Sequence, residues 1–161
     1  MTLFYEKMAS PVGVLYVVCS HRELKAIVFA HSWKEFQREN QDVLLAKHTS
    51  LTQKVIRQLE QYFAKKRTEF DLPLAPEGTE FQKKVWNVLQ TIPHGQTWSY
   101  QEQATRAGRK QAVRAVGAAN GRNPIPIVIP CHRVIGKNGR LTGYAGGLTL
   151  KEKLLKLEQA F

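Results

Sequence analysis

Residues 125–136 read IPIVIPCHRVIG. A β-branched run from Ile125 to Ile129 is punctuated by Pro126 and Pro130. A thiol, an imidazole and a guanidinium follow at once in Cys131, His132 and Arg133. The run predicts a short buried strand. Its end admits two readings, a solvated strand end or an activated cysteine nucleophile. The thiolate rather than the thiol attacks, so a nucleophile needs a neighbouring base or a positive field. Adjacent side chains on extended backbone point to opposite faces. Contact between Cys131 and His132 therefore requires a turn or a bridging water, and Pro130 with the following GKNGR allows the chain to leave the strand. A base also needs an orienting acid, and Glu152 or Glu158 could supply it.

The same stretch divides the chain. Before it, GVLYVVCS and LKAIVFA are β-rich runs joined by HRE, and LFYEKMASPVG is a third strand closed by a Pro-Gly turn. SLTQKVIRQLEQYFAKK places Leu51, Val55, Leu59, Tyr62 and Phe63 on one helical face, with lysines towards its C-terminal end. The Pro- and Gly-containing FDLPLAPEGT predicts a linker near residues 71–78. Beyond it, Thr79 with Gln82 and Ser99 with Glu102 are capping-box patterns opening two helices. The first carries Phe81, Val85, Val88, Leu89 and Ile92 at helical spacing, and the second closes at Gly108. KQAVRAVGAANG is a further short helix, so that helix, glycine turn and helix resemble a helix-turn-helix. LTLKEKLLKLEQAF predicts a terminal helix with Leu150, Leu154 and Leu157 inward. The expected fold is α/β (α+β). Residues 1–75 form a small antiparallel sheet with a helix, and residues 76–161 a mainly helical domain with a helix-turn-helix and an active-site loop.

Composition narrows the partners. Twenty-four Lys and Arg against 13 Asp and Glu give a net charge of +11, which favours a polyanion such as nucleic acid or an anionic membrane. No apolar run approaches the roughly 20 residues of a membrane span, and MTLFYEKMASPVG lacks the cationic start of a signal peptide. A cytoplasmic chain is expected. Two cysteines without a CxxC, and scattered histidines, predict neither a disulfide framework nor a metal site. Cys19, inside VLYVVCS, reads as a packing residue. Arg114 stands among Ala112, Ala115, Gly117, Ala118 and Ala119. Small residues there suit close approach to a groove, or equally to another helix. Residues 143–148, GYAGGL, add an aromatic-glycine loop, with Tyr144 and Ala145, that can come close to a planar ligand or simply turn the chain.

NPIPIVIPCHRVIG followed by GYAGGLTLKEKLLKLE resembles the active-site signature of the bacterial-type O6-alkylguanine-DNA alkyltransferases, the methylated-DNA–protein-cysteine S-methyltransferases. SYQEQATRAG and AVRAVGAANGRNP resemble that family's DNA-binding helix-turn-helix. The resemblance runs from about residue 79 to 159, while the first half matches in general plan. It implies a suicide repair protein of double-stranded DNA. Such a protein works through the minor groove, flips out O6-methylguanine or O4-methylthymine, and moves the alkyl group irreversibly to its own cysteine. By position, Cys131 is the acceptor, His132 a base acting through a water, Glu158 its polarising acid, and Asn123 the completing hydrogen-bond partner. Tyr100 would donate to the departing base and Arg114 would fill the space it leaves. The carbonyls of Cys131 and Val134 would bind the exocyclic amine, and the amide of Ala145 would meet O6. Gly117, Ala118, Pro126 and Tyr144 complete the expected substrate surface. Arg133 is expected to tie the loop to the scaffold. The resemblance implies no cofactor, no metal and a monomer with no obligate protein partner or membrane.

Three other readings use the same residues. An alkylated-DNA lesion binder would keep the helix-turn-helix but lack the acceptor cysteine, which Cys131 argues against. A helix-turn-helix regulator would need more base-reading side chains than the alanine-rich helix offers. A cysteine hydrolase would turn over esters or peptides.

Overall fold

The computed structural model describes residues 1–144 and 146–161, so the expected role of Ala145 lies outside the described residues. The chain divides into two compact units, Met1–Pro76 and Glu77–Phe161.

In the first unit, β1 (Leu3–Met8), β2 (Leu15–Cys19) and β3 (Leu24–Phe29) form an antiparallel meander. The SPVG turn between β1 and β2 is held by Ser10, whose hydroxyl donates to the Gly13 carbonyl at 2.6 Å and accepts from Val12 N–H. Gly13 takes φ +96°, open to glycine without a Cβ penalty. A fourth strand, β4 (Leu44–Ala46), joins parallel to β1, so the sheet is mixed with order β3-β2-β1-β4. Alternation along the strands gives the sheet two apolar faces. Leu3, Val18, Ala26 and Val28 meet Trp33 of α1 (Trp33–Glu39), whose indole stacks on Tyr16 at 4.0 Å. Helix α2 (Ser50–Phe63) serves the other face with Thr52, Val55, Ile56, Gln58, Leu59 and Tyr62 buried. Leu51 and Phe63 sit at the margin of that face rather than within it. Helix α2 stops before the expected lysines, since Lys65 takes a left-handed φ of 62°.

The second unit begins with α3 (Glu80–Leu89), where Thr79 and Gln82 make both capping-box hydrogen bonds. Ser99 and Glu102 do the same for α4 (Tyr100–Arg106), and α5 (Val113–Gly121) follows after a turn. Helix α6 (Leu148–Leu157) closes the chain. Two residue pairs, Trp98–Val134 and Ser99–Ile135, make a small parallel ladder of β5 (Trp98–Ser99) and β6 (Val134–Ile135).

The expected strand over 125–130 is absent. Those residues are all buried, but the chain turns back on itself, with Ile129 N–H donating to Ile125 O at 2.9 Å and Ile127 at φ +75°. Prolines at 124, 126 and 130 lack the N–H groups a ladder requires. The β-branched residues serve burial here rather than strand pairing. Cys131–Arg133 then form a single 3₁₀ turn.

Gly78 marks the entry to α3. A Cβ there would lie 2.5 and 2.7 Å from ring carbons of Trp86 and 2.8 Å from Gln82 Oε1. Trp86 is buried, and its indole N–H donates to Ala119 O at 2.8 Å, so the ring has no freedom to yield. Gly78→Ala is expected to lower stability by about 1–3 kcal/mol. Urea unfolding checks this, and an unchanged midpoint would contradict the packing described.

Candidate active site

The 3₁₀ turn presents Cys131 and His132 in different directions from consecutive positions. The Cys131 sulfur accepts from Asn123 Nδ2 at 3.2 Å, and the same amide nitrogen donates to Ile129 O at 2.8 Å. Asn123 Oδ1 in turn accepts from Ile125 N–H at 2.9 Å. The Asn123 side chain is thus fixed at both ends by the loop that carries the cysteine. Burial pushes the Cys131 thiol up to about 11, although the Asn123 hydrogen bond and the charge of Lys151 act against the rise. The resting thiol is protonated at neutral pH.

The imidazole of His132 is fully buried and turned to α6, with Nε2 2.7 Å from Glu158 Oε2. Glu158 also receives Arg133 Nε at 2.8 Å and Arg133 Nη2 at 3.1 Å, a two-point guanidinium clamp. Arg133 Nη1 donates to Ile92 O at 2.7 Å, the tie between loop and scaffold expected of this residue. Burial alone would raise the Glu158 carboxyl, but His132 and Arg133 hold it well below the usual carboxylate range. Burial is also the main influence on His132 and lowers its pKa, with Arg133 and Lys151 adding to the lowering and Glu158 opposing it. An ionised carboxylate can only accept, so Nε2 carries the proton and Nδ1 keeps its lone pair. No protein hydrogen bond to Nδ1 is found among the described residues. A neutral imidazole with an available Nδ1 is a base in waiting.

Beside the cysteine lies a cleft of about 410 Å³, lined among others by Tyr100, Gly117, Asn120, Cys131, Thr142 and Tyr144. The volume falls in the ~300–1,000 Å³ range of small-molecule sites. Its walls come from α4, α5 and the loop before α6. The Tyr100 hydroxyl donates to Thr142 O at 3.2 Å, and the Lys151 ammonium donates to the same carbonyl at 2.7 Å.

Two family models match, the DNA-binding domain of 6-O-methylguanine DNA methyltransferase over residues 80–160 and its ribonuclease-like domain over residues 3–76. A methylated-DNA–protein-cysteine methyltransferase of Methanosarcina acetivorans is 48% identical, the alignment covering 97% of this chain and 98% of that one. The Mycobacterium tuberculosis O6-methylguanine methyltransferase superposes with a TM-score of 0.87 at 42% identity, over 99% of this chain and 94% of the other. A structure of Mycobacterium tuberculosis OGT in complex with DNA gives a TM-score of 0.85 at 41% identity, over 98% and 93% of the two chains. The chain belongs to the methylated-DNA–protein-cysteine methyltransferase family.

Of the residues singled out from the sequence of this methyltransferase, Asn123, Cys131, His132 and Glu158 come together as described. Tyr100, Gly117 and Tyr144 share the cleft with Cys131. Arg114 and Ala118 are exposed on α5, whereas Pro126 and Val134 are buried and do not line the cleft. Val134 N–H donates to Cys131 O, so that carbonyl already holds one donor. Among the acids considered, Glu152 pairs with Lys156 on the surface of α6, and Glu158 alone of the two faces His132.

Lys151 was missed. It is fully buried, and burial lowers its ammonium to about 8 while proximity to Cys131 raises it. The buried side of α6 holds Lys151, Leu154 and Leu155, and Glu158 caps the same side, while Leu150 and Leu157 lie at its margins. The available signal was spacing, since 151, 154, 155 and 158 form a helical stripe with a charge at each end.

Acidification should weaken the native state through both buried partners of the turn. The native His132 pKa lies below its ordinary 6.5, so the unfolded chain binds a proton first as pH falls through that value. Glu158 adds stability that is complete above its ordinary 4.5 and is lost as pH falls towards its depressed native value. Unfolding free energy is therefore expected to fall between about pH 7.5 and pH 5. His132→Asn should flatten that fall, and equal slopes in the two proteins would contradict a buried neutral imidazole.

Proposed function

We propose that this chain repairs alkylated double-stranded DNA by moving the methyl group of O6-methylguanine to Cys131 in a single irreversible event. The observation that carries the reading is a buried sulfur hydrogen-bonded by Asn123, next in sequence to a histidine oriented by a carboxylate. In the reaction, Sγ attacks the methyl carbon, the C–O6 bond breaks and an S–CH₃ bond forms. The thiol proton passes through a water to Nδ1 of His132. Tyr100 donates its hydroxyl hydrogen bond to the ring of the leaving guanine, stabilising negative charge as it develops. The Tyr100 hydroxyl now engages Thr142 O, and Lys151 keeps that carbonyl satisfied when Tyr100 turns to the base. Thioethers are stable, so one chain repairs one lesion. O4-methylthymine presents the same alkyl–oxygen chemistry and is a second substrate.

The charge distribution supports DNA as the partner. Thirteen of the 24 Lys and Arg, but only five of the 13 acids, fall within residues 77–161. Arg114 stands exposed in the first turn of α5, an end that carries no acid and no side-chain cap. A cation there gains nothing from the helix dipole, whereas a phosphate facing that N-terminus gains from both. A base inside a duplex is out of reach, so the target nucleotide is flipped into the cleft from the minor groove, and Arg114 occupies the space it leaves. Exposed Ala115 and Ala118, with half-buried Gly117 between them, let α5 approach the groove closely. The protein acts in the cytoplasm as a monomer without an obligate protein partner. A non-catalytic lesion binder would have no use for the Asn123–Cys131 contact.

Incubation with a duplex bearing one O6-methylguanine should add one methyl, about 14 Da, to the intact protein, located on Cys131 and capped at one per chain. Cys131→Ser should abolish the gain and keep DNA binding. Arg114→Ala should slow repair of the duplex far more than reaction with the free alkylated base. Absence of the mass gain, or repeated turnover, would overturn the proposal.

A further inference from the structure

Helices α4 and α5 are joined by a reciprocal pair of buried side-chain amides. Gln103 Nε2 donates to Asn120 Oδ1 at 2.7 Å, and Asn120 Nδ2 donates to Gln103 Oε1 at 2.7 Å. Gln103 is fully buried and Asn120 nearly so. Residues three apart share a helix face. Gln103 therefore follows Tyr100 along α4, and Asn120 follows Gly117 along α5.

Tyr100 and Gly117 are themselves partners. A Cβ at position 117 would make ordinary contact with two ring carbons of Tyr100 at 3.7 Å, so the tyrosine ring faces α5 at Gly117 with room for a methyl group between them. The helix seam thus has two successive rungs, Tyr100 on Gly117 and Gln103 on Asn120. The first is a loose apolar facing that leaves space for a methyl group and sets no orientation. The second has two directional bonds that fix distance and rotation together. Helix α4 is seven residues long and buries only Ala104 beside Gln103, which gives it little other interlock along this seam. Helix α5 is held at the same level from its other neighbour, since Trp86 of α3 donates to Ala119 O. Asn120 also reaches the cleft wall with Tyr100 and Cys131.

We infer that Gln103 and Asn120 are a positioning pair for methyl transfer, locking α4 onto α5 so that Tyr100 meets the bound base in its working orientation. The inference rests on the reading that Cys131 takes the methyl from a base bound beside Tyr100. The pair acts through Tyr100 and not on the sulfur.

The test is single-turnover transfer from an O6-methylguanine duplex, with the rate constant at saturating DNA separated from the DNA affinity. Gln103→Asn and Asn120→Gln each change the length of one partner. The exchanged pair, Gln103→Asn with Asn120→Gln, restores the combined length and both amides. Each single variant is expected to lower the saturating rate constant by about ten- to a hundredfold with DNA affinity unchanged. The exchanged pair should recover most of it. Gln103→Met, which keeps volume and removes the hydrogen bonds, replaces any single variant that does not fold. On a Tyr100→Phe background the same substitutions should add little further loss, because the hydroxyl they position is gone. Single variants that lower only the melting temperature or the reactive fraction, with folded molecules reacting at the wild-type rate, overturn the inference. So does a folded exchanged pair that stays slow, or a full additional loss without the Tyr100 hydroxyl. A wild-type chain that never gains a methyl on Cys131 defeats the proposed function instead, which keeps the two failures distinct.

Discussion

The carboxylate of Glu158 is the fixed point around which the helical unit arranges its chemistry. It is fully buried, and it accepts from two cationic or potentially cationic side chains of one 3₁₀ turn. A lone carboxylate in that position would protonate rather than stay charged. Arg133 prevents this by supplying two of its donors in a fork while its third group ties to Ile92 O. With the charge on Glu158 secured, the hydrogen bond to His132 has only one sense. The acid thereby sets the tautomer of a histidine, and the histidine's free nitrogen sets where a proton can go. Removing one member of such a buried cluster leaves an uncompensated charge, at a cost of about 3–5 kcal/mol.

The cysteine lives under the opposite constraint. Its environment keeps the thiol protonated, as burial does for Cys19 inside the sheet, where the pKa is pushed up to about 12. The two cysteines differ in what surrounds that burial. Cys19 is desolvated by burial and meets the repelling charge of Glu6, whereas Cys131 has an amide donor on its sulfur and an ammonium nearby. A thiol that ionises only as it reacts is protected from stray electrophiles. In the proposed transfer, proton loss to His132 and attack on the methyl carbon belong to the same event.

Much of this was legible in the residues. Capping boxes at Thr79 and Ser99 announced α3 and α4, since two hydrogen bonds at a helix start leave a local signature. The Pro-Cys-His-Arg string marked the site, and the family resemblance picked Glu158 over Glu152 where spacing alone left both open. The apolar run at 125–130 misled because hydrophobicity reports burial and not pairing. The prolines that deny it a ladder were visible, but they do not specify the turn that replaces it. Strand β4 and helix α1 escaped notice because three residues at a sheet edge and a seven-residue helix carry little periodicity. Lys151 was hidden by its type. Lysine on an amphipathic helix is ordinarily a solvated residue, and it is the tertiary placement of the Thr142 and Gly143 carbonyls that gives the buried Lys151 its acceptors.

Glu158, kept ionised by Arg133, holds His132 as a neutral imidazole protonated on Nε2, with no protein hydrogen bond to Nδ1 among the described residues. Nitrogen-15 NMR of the imidazole ring in the uniformly labelled free protein at neutral pH reads this directly. A pyrrole-like Nε2 and a pyridine-like Nδ1 are expected for His132, with the pattern lost or inverted in Glu158→Gln. An imidazolium at neutral pH, or the proton on Nδ1 in the wild-type protein, would contradict it.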